Sequence, residues 1–148
     1  MNDEQEDVYV LDTSVLINDP NVLCKLRRTR IFVPTAVIRE LDGLKRSLNS
    51  KKSGAAKKVS RTLDTLGCRE YVAFGAITSA GSQVKIFCKY KKVCDLHSWA
   101  DNQILGTAMK LKEENQHYHV ILLSNDRMLR SVTKAYGLEA RQYPFSRS

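Results

Sequence analysis

The chain has 148 residues, 43% of them hydrophobic and 27% charged. That is room for one domain with a real core and not for two, and the balance is that of a folded globular chain rather than a disordered one. No apolar run is long enough to cross a bilayer, and a net charge of +8 fits a polyanion partner, though an ordinary solvated surface of lysine and arginine fits it too.

Residues 1–7 (MNDEQED) form an acidic, flexible leader, the opposite of a signal peptide, so an intracellular setting is expected: cytoplasmic, or nuclear in a eukaryote. Residues 8–143 read as a single domain and 144–148 as a tail. Val8 to Leu11 has no polar alternation and reads as a short, fully buried strand. Asp12-Thr13-Ser14 can start a helix, and Asn18-Asp19-Pro20 stops it. Asn21 begins another short helix through Leu26, and Ile31-Phe32-Val33 is a second buried strand closed by Pro34. Thr35 is the expected cap of a helix whose apolar positions are Ala36, Val37, Leu41, Leu44 and Leu48. Asn49 to Gly54 reads as a polar, basic loop, and Ala55 to Leu66 as a helix ended by Gly67.

Residues 68–98 carry the weakest pattern; Val84 to Cys88 alternates like an edge strand. Trp99 to Glu114 is a helix with Asp101, Ile104, Leu105, Ala108 and Leu111 along one stripe. His119 to Ser124 is the clearest strand. Asp126 opens a helix with the stripe Met128, Leu129, Val132, Ala135 and Tyr136, stopped by Gly137, and Leu138 to Tyr143 is a last strand. Strands alternating with helices predict a mainly parallel α/β sheet covered on both faces, with ligands bound beyond the carboxyl ends of the strands. No phosphate-cradling glycine motif is present.

Asp12, Glu40, Asp101 and Asp126 each stand beside an apolar run, where charge is costly unless compensated. A shared hard cation, Mg²⁺ or Mn²⁺, is the most economical compensator, because such ions prefer carboxylate oxygen. Ser14, Ser124 and Asn102 are short polar neighbours able to orient a carboxylate or water. Each acid also has a plainer reading: Asp12 and Asp126 as helix caps, Asp101 as a partner of a helix dipole, Glu40 paired with Arg39, Lys45 or another surface cation. Together these plain readings fit less well than a cluster does.

The positive charge is clustered. Lys45, Arg46, Lys51, Lys52, Lys57, Lys58 and Arg61 follow one another with no acid among them, and smaller groups lie at Lys25 to Arg30 and Lys89 to Lys92. The long cluster is the expected nucleic-acid contact. The four cysteines, Cys24, Cys68, Cys88 and Cys94, read as reduced thiols, several in the core. Cys88, Cys94 and His97 match no common zinc spacing. His97, His117 and His119 read as surface histidines.

Four segments together resemble the PIN-domain nucleases: Val10 to Leu16, Pro34 to Asp42, Ala100 to Leu105, and Leu123 to Asp126. Further matches at Asn18-Asp19-Pro20, Gly54-Ala55-Ala56, Leu63-Asp64 and Gly137 to Ala140 are similar to the PIN domain that precedes a PhoH-type ATPase. The resemblance implies a three-layer α/β/α sandwich with a central, mainly parallel sheet, and Mg²⁺- or Mn²⁺-dependent endonucleolytic cleavage of single-stranded RNA. It implies Asp12, Glu40, Asp101 and Asp126 as the catalytic, metal-holding acids, Ser124 as an accessory hydroxyl, and Asp42 as a residue in reserve. Many members carry Asn where this chain has Ser14; serine can still bond a carboxylate or water. A homo-oligomer and an ATPase module, were the chain an excised domain, are the further partners implied; a membrane is not. A catalytically silent RNA-binding module and a toxin-type PIN ribonuclease are the alternatives. The intact acids weigh against the first and the long basic stretch against the second; a flap-type DNA nuclease lacks any legible arch.

Overall fold

A computed structural model describes residues 5–67 and 75–145. Its elements in order are β1 (Glu6–Leu11), α1 (Thr13–Asn18), α2 (Val22–Lys25), β2 (Arg30–Pro34), α3 (Thr35–Leu44), α4 (Ser50–Leu66), β3 (Ala76–Ile77), β4 (Gln83–Phe87), α5 (Trp99–Glu114), β5 (Tyr118–Leu123), α6 (Arg127–Ala135) and β6 (Glu139–Arg141). The strands form one sheet in the order β3-β4-β2-β1-β5-β6. All neighbours are parallel except the two-residue β3, which runs antiparallel to β4. Helices complete a three-layer α/β/α arrangement around it.

The sheet is held by buried apolar runs at the carboxyl ends of its central strands: Val8, Val10 and Leu11 from β1, Ile31 and Val33 from β2, Val120 to Leu123 from β5. A parallel sheet covered on both faces selects such continuous runs. The chain leaves β1 toward β2 on one side and returns as β5 on the other. The strand order therefore reverses between β1 and β5, and the crevice beyond their carboxyl ends is the place such sheets offer a ligand.

Several local expectations are corrected. Pro34, not Thr35, precedes the first turn of α3; Thr35 is helical, and its hydroxyl donates to Phe87 O at 3.2 Å. That helix stops at Leu44, and Leu48 is fully exposed, so it belongs to no apolar stripe. The basic run after Asn49 is helix rather than loop. The Asn49 side chain accepts from Lys52 N at 3.1 Å, and Ser53 Oγ donates to Lys45 O at 2.8 Å, so hydroxyl and amide bonds start α4 without apolar help. The alternating strand β4 is not an edge: it lies between β3 and β2 with Val84 and Ile86 buried. On α6 only Leu129 and Thr133 are buried; Met128 and Tyr136 are exposed. Cys24, Cys88 and Cys94 are exposed rather than in the core, and Cys68 lies outside the described residues. His119 is bridged, with Asp7 on Nδ1 and Glu139 on Nε2, both at 2.8 Å.

Candidate active site

The four acids arrive from four separate elements. Asp12 ends the run out of β1 and caps α1 through its backbone alone: Val15 N donates to Asp12 O at 3.1 Å, and the side chain makes no capping bond. The carboxylate, almost wholly buried, instead accepts two hydroxyls on one oxygen. Ser14 Oγ donates to Asp12 Oδ2 at 2.6 Å and Ser124 Oγ donates to the same oxygen at 2.7 Å. Ser124 comes from β5's end across the crevice, so this one oxygen ties the two halves of the sheet together. Ser14 Oγ also accepts from Asn125 N at 2.9 Å, and Ser124 Oγ accepts from Asp126 N at 3.0 Å.

Asp126 is a true helix cap. Its Oδ1 accepts from Met128 N at 2.9 Å and from Leu129 N at 3.3 Å, leaving Oδ2 without a hydrogen bond among the described residues. Asp101 lies in the first turn of α5, where an acid is favoured by the helix dipole; Ser98 Oγ accepts its backbone N–H at 3.2 Å. Glu40 sits within α3 and accepts Thr13 Oγ1 at 2.6 Å.

These carboxyls feel one another. Burial pushes Asp101 up to about 7, and the charges of Asp12, Asp126 and Glu40 push the same way. Burial also raises Asp12, against the lowering effect of the Ser14 and Ser124 hydroxyls, with Asp126 adding repulsion. Glu40 is raised by burial and by Asp12, and partly restored by Thr13. No described lysine, arginine or histidine forms an ion pair with any of the four. The donor set is thus all hard oxygen, mutually repelling and lacking a counter-charge, which suits a small divalent cation. The acids are nonetheless spread: among the described residues no three His, Cys, Asp or Glu side chains close up into a ligand set.

Two other candidates lie elsewhere in role. Asn102 spends its side chain on the loop before α5: Oδ1 accepts from Leu96 N and Nδ2 donates to Leu96 O, both at 2.9 Å. It braces that loop rather than a carboxylate. Asp42 is ion-paired with Lys45 at 3.1 Å on the exposed side of α3. Of the basic cluster, Lys51, Lys57, Lys58 and Arg61 form one exposed stripe along α4, opposite its buried Ala56, Val59 and Leu63; Lys52 is exposed at the helix start and Arg46 lies in the link before it. α4 packs on α1 and α3, the helices that adjoin Asp12 and carry Glu40.

Sequence reasoning passed over Thr13, Ser98 and Arg130. Arg130 Nη1 donates to Ser124 O at 2.9 Å and props the end of β5. Only Ser98 had a local signal, a serine three residues ahead of an acid at a helix start. Thr13 meets Glu40 only through the fold, and the Arg130 contact, although near in sequence, follows no capping pattern.

The fold is a mainly parallel α/β/α sandwich, and sequence comparison gives its class. The PIN domain family profile matches residues 9–144, and the chain belongs to that family, whose members are generally nucleases. It is 29% identical over 145 residues to Protein PhoH2 of Bacillus subtilis, covering 92% of this chain and 33% of that protein. It is 34% identical over 138 residues to Transcriptional protein SWT1 of Saccharomyces cerevisiae, covering 86% of this chain and 29% of that one. The chain thus spans about a third of these relatives. Among solved structures it is similar to a domain of a functionally unknown protein from Methanocaldococcus jannaschii, with a TM-score of 0.58 at 19% identity, covering 97% of this chain and 94% of that one. It is also similar to a PilT N-terminus domain protein from Sulfolobus solfataricus, with a TM-score of 0.50 at 13% identity, covering 91% and 86%. Among the described residues no helix is long and apolar enough to cross a membrane.

Proposed function

We propose that the chain is a metal-dependent endoribonuclease acting on single-stranded RNA. The observation that carries this reading is the set of mutually repelling carboxyls without a counter-cation, in a protein of net charge +8. Asp12, Asp101 and Asp126 would hold the principal Mg²⁺ or Mn²⁺, with Glu40 completing the set. When bound, that cation supplies the positive charge and Lewis acidity that phosphodiester hydrolysis draws on.

The chain's own residues do the rest. Ser14 and Ser124 fix the Asp12 carboxylate in one orientation and leave Oδ1 free of their hydroxyls. Thr13 sets Glu40 in the same way. Asp126, capping with Oδ1, keeps its second oxygen available. The stripe of Lys51, Lys57, Lys58 and Arg61, with Lys45, Arg46 and Lys52 beside it, holds the RNA backbone without reading sequence. By analogy with relatives about three times as long, the chain would work beside a further module, and an ATPase is the candidate suggested by the PhoH2 likeness.

The test is cleavage of end-labelled single-stranded RNA in Mn²⁺, in Mg²⁺ and in EDTA, beside an Asp12→Asn, Asp126→Asn double variant. Metal-dependent cleavage lost in the variant supports the reading. The spread of the acids favours one second reading, an RNA-binding module that does not cleave. It would appear as salt-sensitive binding by both proteins with no cleavage under any condition.

A further inference from the structure

We propose that the groove between residues 88–98 and the start of α5 is a nucleobase subsite, in which a base of the bound single strand stacks on Trp99. This rests on the RNA-nuclease reading and adds to it the means of gripping the strand.

The groove has a volume of about 500 Å³, within the range that admits a nucleotide-sized ligand. Two large aromatic side chains line it while remaining open to solvent: Trp99 is 57% exposed and Tyr90 49%. A soluble chain gains nothing by leaving such rings uncovered together, whereas single-stranded nucleic acid uses them as stacking platforms. The ring of Trp99 is braced by Arg39, whose guanidinium carbon lies 5.3 Å from the ring centroid. Arg39 is the chain neighbour of Glu40, while Trp99 precedes Asp101 by a half-turn that sets the two side chains on opposite sides of α5, so the groove flanks the acid-bearing elements without sharing a residue with the acids.

A second observation is independent of the aromatics. Gln103 lines the same groove and is only 6% exposed, yet its Oε1 is buried without a hydrogen-bond partner. An orphaned buried amide oxygen is costly and calls for an explanation. A base edge carries donors as well as acceptors, so a base entering the groove could satisfy it with a small rotation of the amide. Charge agrees as well. Lys91 is paired with Glu113 at 2.7 Å, but Lys92 has no ion pair among the described residues and is placed to meet a phosphate.

The groove wall is pre-set. Asn102 holds Leu96 by two hydrogen bonds, and Lys91 N donates to Gly106 O at 2.9 Å, so little ordering cost falls on binding.

Trp99 is the only tryptophan in the chain, so its fluorescence reports on this groove alone. Short homopolymeric RNAs are titrated in EDTA against the wild type, Trp99→Leu, Trp99→Phe and Gln103→Leu, by emission for the wild type and by fluorescence anisotropy of labelled RNA for all. The expected results are quenching of Trp99 emission, about ten-fold or greater weakening in Trp99→Leu from loss of one stacked base, and near-wild-type binding by Trp99→Phe. Gln103→Leu should flatten the differences in affinity among homopolymers. Tight RNA binding with unchanged emission and an unaffected Trp99→Leu variant would overturn the subsite and leave the RNA reading intact. Failure of the wild type to bind RNA even at low salt would overturn both.

Discussion

Neutralising Asp101 should stabilise the metal-free protein while disabling the proposed site. The folded-state value of Asp101 is about 7 against an ordinary 3.8, raised first by burial and then by Asp12, Asp126 and Glu40. A raised acid favours the fold fully below its unfolded value, and that contribution is lost as pH climbs through the folded one. The metal-free chain should therefore lose stability between about pH 4 and 7. The difference between an ordinary 3.8 and about 7 corresponds to a ceiling of about 4 kcal/mol. Asp101 is only half buried, so solvent screening brings the expected effect to roughly 1–2 kcal/mol. With a urea slope of about 2 kcal/mol/M, the Asp101→Asn midpoint at pH 8 in EDTA should exceed the wild type's by roughly 0.5–1 M. Only below about pH 4, where Asp101 is protonated in the folded and unfolded chain alike, should the two midpoints nearly coincide. Asp12 and Glu40, raised in the same direction, leave the variant a smaller residual slope. An Asp101→Asn protein that is less stable at pH 8, or whose midpoint falls with pH as steeply as the wild type's, would refute the argument that these carboxyls repel one another across the crevice.

Ser124→Ala should act in the opposite sense, destabilising by about 1–3 kcal/mol in urea melts, because it strips a donor from the buried Asp12 carboxylate and an acceptor from Asp126 N. Gly106→Ala should cost about 1–3 kcal/mol and free the segment before α5, since a Cβ there would lie 2.0 Å from Lys91 O, a backbone atom that cannot swing aside; Trp99 emission and urea melting report both effects. Replacing Lys58 and Arg61 together by alanine should lower the slope of log binding constant against log salt by about 1.4, at ~0.7 per lost contact with single-stranded RNA, without changing melting. Loading with Mn²⁺ should raise the wild type's melting temperature and leave the Asp12→Asn, Asp126→Asn variant unmoved, which differential scanning fluorimetry would show.

Much of the fold was legible because its strands are continuous apolar runs and its longest helices carry clear periods. Trp99 to Glu114 was readable to the residue, since Asp101, Ile104, Leu105, Ala108 and Leu111 fall along one stripe. The start of α4 was not, because its first turns contain no apolar period and are set by Asn49 and by a Ser53 hydroxyl reaching Lys45. β4 misled for a different reason. Its alternation looks like an edge, yet it is an interior strand with one face buried by Val84 and Ile86 and the other, Lys85 and Phe87, opening on a polar groove shared with Arg30 and Tyr118. Period alone cannot distinguish a solvated face from a missing neighbour. The positions of Asp12, Asp101 and Asp126 could be read from strand ends and helix starts, and that of Glu40 from the apolar stripe it borders. Of their supports, the Ser14 and Ser124 hydroxyls could be named from the sequence, but Thr13 could not, because its contact with Glu40 joins residues far apart in the chain.

The plain and the chemical readings of the acids prove not to be rivals. Asp12 begins α1, Asp101 lies in the first turn of α5, and Asp126 caps α6, so three of the four acids are helix-start residues as well as members of one electrostatic cluster. A helix start is where an unpaired carboxylate is cheapest to keep, because the dipole and free amides favour it without a neighbouring cation. A lysine or arginine would stabilise the same acids and also occupy the space a cation or phosphate needs. Helix starts therefore lower the cost of the charge and leave its outer side open. Glu40 tests the rule from the other direction. It lies inside α3, beyond the reach of any helix start, and the contact it receives is a hydroxyl from Thr13, the first residue of α1, rather than a cation. At all four positions the chain supports the carboxylate with neutral donors or a helix dipole, the arrangement expected where the missing positive charge must come from outside.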